Sequence, residues 1–165
     1  MFQLKSNYFK YILILLTLCA ISVKAQQVDH IRMLILRSDS AVINYFDSLS
    51  LATEKKISIT KTVDNLGNLM IVAKPHFDDI SFYGCSMVIT KFARQKGREY
   101  CVSQILSSDR YSILSNLNNV KDNYNQIADS FWNNKKDNDK SYVGVKFEVT
   151  DKSGSCTLTY DFYPD

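Results

Sequence analysis

The C-terminal part of the chain contains two runs in which apolar residues recur at every second position, and this pattern limits the fold more than any other feature. The apolar residues are Val143, Val145, Phe147 and Val149 in the first run and Cys156, Leu158, Tyr160 and Phe162 in the second. If Val149 pairs with Cys156 around a turn at 151–154, each apolar residue faces another apolar residue. The pattern therefore predicts an antiparallel hairpin with one face in a core and the other in water.

Two further hairpins are predicted upstream. β-Branched residues are frequent in 57–63, turn residues follow at 64–68, and an apolar run occupies 69–73. Pro75 ends this hairpin because proline cannot donate to a strand ladder. The second hairpin has strands at 80–93 and 99–106 joined by a turn at 95–98.

Two helices complete the prediction. Residues 28–53 are predicted helical, with a cap at 38–40 and an amphipathic stripe at Val42, Phe46 and Leu49. Within this range, residues 31–36 are apolar on both sides and would also suit a buried strand, but a helix is favoured. The second helix is predicted to start at 107–109 and to continue to Phe131. Its stripe is formed by Ile113, Leu117, Val120, Tyr124, Ile127 and Phe131.

The predicted fold class is α+β. Its element order is α-β-β-β-β-α-β-β, with about six mainly antiparallel strands and two amphipathic helices packed on one face of the sheet. The polar tract 133–140, which has no apolar residue, is predicted to be a mobile connection.

The N-terminal segment has the pattern of an export signal. Lys5 and Lys10 form a basic start, and a mostly apolar run from 11 to 23 is shorter than the roughly 20 residues of a membrane anchor. Ala25 supplies the small residue of a cleavage site, so residues 1–25 are predicted to be removed. The mature chain is then one domain, residues 26–165, in a periplasm or outside the cell.

A retained membrane anchor is one alternative for this segment, and a lipid anchor at Cys19 is another. Leu18 disfavours it, because lipoprotein processing requires a small residue immediately before the cysteine. The membrane is therefore predicted to matter only for export.

Charge excludes two classes of partner. The leader holds three of the 20 basic residues and none of the 17 acidic ones, so the mature chain carries 17 of each. Each of its lysine pairs adjoins an acid, and no basic cluster with interleaved aromatics remains. Nucleic acid and anionic membrane surfaces are therefore not predicted partners.

Familiar catalytic and cofactor motifs are absent from the sequence. Five glycines and two histidines, His30 and His76, leave little material for a phosphate loop or a catalytic zinc site. No cofactor and no metal are predicted.

One loop and three cysteines are the candidates for chemistry. His76, Asp78 and Asp79 could hold a divalent cation or form a general base, but a solvated turn is favoured because one short loop supplies few ligands. Cys101 or Cys85 could act as a nucleophile with His76, although thiolates are favoured at helix starts and exposed loops rather than within strands.

The same thiols are candidates for a disulfide. Cys85, Cys101 and Cys156 remain after processing. In an oxidising compartment they allow one bridge and a spare thiol, a bridge to another chain, or three buried thiols. Their spacing does not choose among these.

Tyrosines suggest a different function. Tyr83, Tyr100, Tyr142 and Tyr163 lie where the second face of a strand could be exposed, although half-buried tyrosines on a sheet are ordinary. The preferred hypothesis is a non-enzymatic exported domain that binds a protein, peptide or glycan. It predicts an aromatic patch on the helix-free face. The alternative is a small exported hydrolase or metal-dependent protein, whose loop residues His76, Asp78 and Asp79 would converge in a pocket with a distant acid or thiol.

Overall fold

The computed structural model of the protein describes residues 30–76, 82–95, 97–150 and 154–165. The predicted leader, with Cys19, lies outside this part of the chain. The described residues form two helices and eight strands in one sheet. The helices are α1 (Asp39–Thr53) and α2 (Leu114–Asn123). The strands are β1 (Ile57–Val63), β2 (Leu69–Pro75), β3 (Met87–Gln95), β4 (Arg98–Asp109), β5 (Asn125–Ala128), β6 (Phe131–Asn133), β7 (Tyr142–Val149) and β8 (Ser155–Tyr163).

The sheet has the strand order β1-β2-β3-β4-β8-β7-β6-β5, and every neighbouring pair is antiparallel. The first four strands form a meander. The chain then passes through α2 to the opposite edge and returns, so that β8 pairs with β4. The α+β class and the antiparallel sheet are confirmed, whereas the predicted six strands and element order were partly wrong.

The predicted register of the last hairpin is confirmed, and the first predicted hairpin is present. In β7–β8, Val149 faces Cys156 and Val143 faces Phe162. In β1–β2, the pairs run without interruption from Ile57 and Pro75 to the turn. Pro75 is the last residue of β2, where a missing N–H is tolerated. Of the predicted turn at 151–154, only Gly154 is described.

Both helices pack on the same face of the sheet. Their buried residues join the alternate residues of the central strands in a single core. In α1 these are Val42, Phe46 and Leu49, the predicted stripe, and the Ser38 hydroxyl caps the helix by accepting from the Ala41 N–H at 3.3 Å. In the described part of the chain, neither helix is long and apolar enough to cross a membrane.

Residues 31–36 are not helical, contrary to the prediction. They form a non-helical segment that bends in a turn at Ile35 and Leu36, where the Arg37 N–H donates to the Leu34 carbonyl at 3.1 Å, and we call residues 31–37 the strap. Its last residues join β4, since the Leu36 N–H donates to the Cys101 carbonyl and the Cys101 N–H donates to the Arg37 carbonyl. These bonds use a stretch of β4 beyond the part that β8 covers.

The second predicted helix was too long at both ends. Residues 107–109 belong to β4, and the Asp109 carboxylate accepts from the N–H groups of Tyr111 and Ser112 in the turn before α2. After α2, residues 125–133 form the β5–β6 hairpin. Trp132, which lies off the helical stripe, is buried opposite Val145, while the stripe residue Ile127 is 59% exposed. Burial of the indole therefore outweighs the helical pattern.

The strand predicted at 80–93 begins at Met87. Before it, Phe82 and Cys85 exchange two backbone hydrogen bonds across a tight turn. Gly84 lies in this turn at φ 72°, and a Cβ there would overlap the Ser112 carbonyl oxygen. Glycine is therefore required where this turn meets the turn before α2.

The polar tract 133–140 is held by specific hydrogen bonds. Asn133 belongs to β6, the Asn134 side chain accepts from the Val143 N–H at 2.8 Å, and Lys136 and Asp139 bond to each other across a turn.

Candidate functional site

The helix-free face of the sheet displays the alternate residues that the core does not use. One row crosses six strands and mixes apolar with polar side chains. It contains Val72, Ile89, Ile105, Thr159, Lys146 and Phe131. All but Lys146 are partly buried, so this face offers both apolar area and polar groups.

Aromatic side chains meet near the end of this row, on β6, β7 and β8. Tyr142 and Tyr163 lie directly opposite each other, and their rings stack with centroids 4.9 Å apart and planes 14° apart. A Cβ on Gly144 would lie 2.7 Å from Tyr163 Cε2 and 3.0 Å from Phe131 Cζ. The rings of Tyr163 and Phe131 therefore occupy the space above this glycine. We call Phe131, Tyr142 and Tyr163 the aromatic cluster.

The electrostatics of the cluster keep its tyrosine hydroxyl available as a donor. Burial raises the pKa of Tyr163, and the negative charge of Asp161 and the neighbouring Tyr142 raise it further against the opposing effect of Lys146. Tyr163 is nevertheless 38% exposed. The Lys135 ammonium lies 5.4 Å from the Tyr142 ring centroid, where a cation–π attraction acts. The cluster thus combines exposed aromatic area, a phenolic donor and a cation.

The other two candidate tyrosines lie elsewhere. Tyr100 pairs with Ala93 at the end of the β3–β4 hairpin. It lines an apolar cavity of about 270 Å³ with Leu36 and Phe162, and also an open cavity of about 520 Å³ that includes Arg94. Tyr83 lies in the turn beside α2 and borders a third open cavity next to the end of α1. Of the four candidate tyrosines, all in the described part of the chain, Tyr142 and Tyr163 are the pair whose rings contact each other.

The His76 loop is only partly described. His76 follows β2, is half-buried, and donates its backbone N–H to the Lys56 carbonyl at 2.7 Å. Asp78 and Asp79 lie outside the described residues. Among the described residues, no group of three His, Cys, Asp or Glu side chains is arranged to hold a metal ion.

The three cysteines are buried free thiols. Burial raises the pKa of Cys85 and of Cys101 to about 12, and the Cys101 thiol donates to the Ser103 carbonyl. These surroundings disfavour the thiolate that nucleophilic catalysis requires. Cys156 faces Ser108 on β4. Ser108 lies seven residues along β4 from Cys101, a strand length of roughly 23 Å. Cys101 and Cys156 are therefore too far apart to form a disulfide with each other.

Two buried amides hold the strap against the core. Asn116 of α2 is 1% exposed; its Oδ1 accepts from the Ile31 N–H at 2.8 Å, and its Nδ2 donates to the Tyr83 carbonyl at 2.7 Å. Gln104 of β4 is fully buried; its Oε1 accepts from the Leu34 N–H at 2.7 Å, and its Nε2 donates to the Arg32 carbonyl at 3.1 Å. Each amide therefore satisfies two backbone groups.

These two amides were not predicted from the sequence, although both carry a detectable signal. Gln104 has the same parity in its strand as Leu106, and Asn116 lies three residues after Ile113, on the apolar side of α2. A polar residue on a core face indicates a buried hydrogen-bonding role.

The chain has also been compared with known proteins. No protein-family model, curated protein or solved structure matches it. Its function has to be argued from its own residues, and the aromatic cluster is the surface feature that most closely resembles a binding site.

Proposed function

We propose that this protein is an exported, non-enzymatic binding domain that contacts a protein or peptide partner through the aromatic cluster. The observation that supports the proposal best is the stacked pair of Tyr142 and Tyr163 on the helix-free face, with Phe131 beside it. Tyrosine gives large contact area and a polar tip at low entropic cost, and it is enriched among residues that dominate binding energy.

The geometry of the cluster favours a protein over a glycan. Glycans are commonly bound on an open aromatic ring face. Here Tyr142 and Tyr163 each cover one face of the other, and Lys135 lies over the Tyr142 ring. The stack therefore offers less open ring face to a sugar, while its ring edges and hydroxyl groups suit the mixed apolar and hydrogen-bonding surface of a polypeptide.

The side chains of the aromatic cluster are also held rigidly. Both tyrosines are on regular strands in direct register, and the space above Gly144 is already filled by neighbouring rings. A partner would therefore lose little free energy in ordering these side chains. The export part of the proposal depends on the leader pattern of residues 1–25.

The hydrolase alternative receives less support from the described residues. Cys101 has a raised pKa and lies within β4, and the described part of the His76 loop contributes one side chain.

The test is selection of a random peptide library on the processed chain, followed by affinity measurements with three variants. Tyr142→Ser and Tyr163→Ser remove one ring each, while Tyr111→Ser removes an 85% exposed tyrosine in the turn before α2. We expect each cluster variant to weaken binding of the selected peptides by about 30-fold, and Tyr111→Ser to leave it unchanged.

Unfolding curves of the three variants show whether the fold is intact. A glycan array is probed with the same proteins. Selected peptides that bind all variants equally would refute the assignment of the cluster. Glycan binding that is lost in Tyr142→Ser would replace the peptide by a glycan.

A further inference from the structure

The two ends of the sheet differ in a way that points to a partner. At one end, β5 has four residues and an irregular register with β6. At the other end, β1 has seven residues, five of them β-branched, and pairs with β2 without a bulge. Among the described residues, no strand pairs with the outer edge of β1. A long regular edge of this kind is a template for another strand.

The hydrogen bonds at both ends of the β1–β2 pair show which backbone groups face this outer edge. The His76 N–H donates to the Lys56 carbonyl at 2.7 Å, and the Asp64 N–H donates to the Asn68 carbonyl at 2.9 Å. Even-numbered residues of the β1 segment thus bond to β2. Bonded and non-bonded positions alternate in an antiparallel pair, so odd-numbered residues direct their N–H and C=O groups outward.

We propose that β1 pairs antiparallel with β1 of a second copy of this chain, with the two-fold axis at Thr60. Ile57 then faces Val63 of the second copy, and Ile59 faces Lys61 of the second copy. These are the residues whose backbone groups point outward. The two-fold axis repeats each of these two pairs, so there are four pairs in all. Each pair exchanges two hydrogen bonds, which gives about eight across the interface, within the usual number for a specific protein interface.

The side chains of β1 are complementary to themselves in this register. Val63, which is 62% exposed, comes opposite Ile57, and both lose contact with water. On the other side of the strand, the exposed hydroxyl residues Ser58, Thr60 and Thr62 meet one another. Apolar residues therefore face apolar residues, and hydroxyls face hydroxyls.

Charge selects this register among its neighbours. Moving the axis to Lys61 would set two lysines directly opposite each other, which is unfavourable. Moving it to Ile59 would set Val63 opposite Lys55. With the axis at Thr60, the aliphatic part of the Lys61 side chain lies opposite Ile59 of the second copy. The Lys61 ammonium stays 3.0 Å from Asp39 Oδ2 of its own chain, at the start of α1.

The interface lies at the opposite end of the strand order from the aromatic cluster, so it does not depend on the proposed function. In the pair of chains the sheet is continuous, both sets of helices lie on one side, and both aromatic clusters lie on the other. A partner with two binding sites would then be held more tightly than by either cluster alone.

Sedimentation velocity over a range of concentrations tests the proposal on the processed chain. We expect a dimer for the wild type. Thr60→Lys and Thr60→Glu each place like charges across the axis and should weaken dimerisation by roughly tenfold. A mixture of the two variants should restore a dimer containing one copy of each.

The control is Thr157→Lys, on the same face of the central strand β8 and opposite Glu148, which should dimerise like the wild type. Thermal unfolding confirms that each variant is folded. A wild type that is monomeric at all concentrations overturns the proposal, as does a Thr60→Lys dimer of unchanged affinity or a mixture that does not recover.

Discussion

Replacing Asn116 by alanine is expected to lower the free energy of unfolding by about 3 kcal/mol. The Ile31 N–H is buried and would lose its partner, at a cost of about 2 to 3 kcal/mol. The Tyr83 carbonyl is partly buried and water can replace its lost donor, so its share is about 1 kcal/mol. Alanine is the better helix former by about 0.6 kcal/mol, which offsets a small part of the loss.

Urea unfolding followed by fluorescence measures this loss, because Trp132 is the one tryptophan of the chain and is buried. Asn118→Ala is the matched control, since Asn118 is on the same helix but exposed. It should be neutral or slightly stabilising. Asn116→Asp keeps an acceptor for Ile31 but sets a carboxylate oxygen against the Tyr83 carbonyl, so it should be no more stable than Asn116→Ala. A loss below about 1 kcal/mol for Asn116→Ala, with an unchanged urea dependence, would show that these two hydrogen bonds do not hold the strap.

Two further predictions follow from the cluster and the thiols. Gly144→Ala should lower the free energy of unfolding by about 1 to 3 kcal/mol, because the added methyl group meets the rings of Tyr163 and Phe131. The same displacement should change the circular dichroism of the tyrosines, and an unchanged spectrum would contradict the packing described. Native Cys85 and Cys101 should resist alkylation at pH 8 and react once urea unfolds the chain. Because burial raises the pKa of both thiols from 9.0 to about 12, their contribution to stability is complete below pH 9 and is lost as the pH rises towards 12. If the urea concentration at the unfolding midpoint stays the same as the pH is raised from 8 to 11, this prediction is wrong.

The hairpins could be predicted because two separate sequence patterns require the same arrangement. In β7 and β8, the alternation within each strand and the pairing between strands both require the same register, and Val149 does face Cys156. The Ser38 cap and the α1 stripe were predictable for a similar reason, since a cap and a periodic face agree on one helix.

The failures arose where a local pattern competed with tertiary burial. Ile127 and Phe131 continue the spacing of α2, but Trp132 is buried only if the chain turns back into β6. The strap buries Ile31, Leu34 and Ile35 but exposes Met33 and Leu36, so its apolar residues follow no regular helical or strand period. Its backbone groups bond to side-chain amides that are distant in sequence, so the local sequence cannot predict this conformation.

The candidate site was predictable only in outline. Tyr142 and Tyr163 were expected on an exposed strand face, and the hairpin register alone places them opposite each other. Phe131 was assigned to a helix, so its place beside Gly144 could not be foreseen.

The hydrogen bonds of the strap also affect the order in which the molecule can fold. Ile31 is separated by 85 residues from Asn116, and Leu34 by 70 residues from Gln104. Synthesis delivers the amino terminus first, so the strap emerges long before its partners. It must stay hydrated, or protected by other proteins, until α2 has emerged. Contacts this distant in sequence form slowly, so closure of the strap is expected to be a late event in folding, and a chain truncated before α2 would leave the strap exposed to proteolysis.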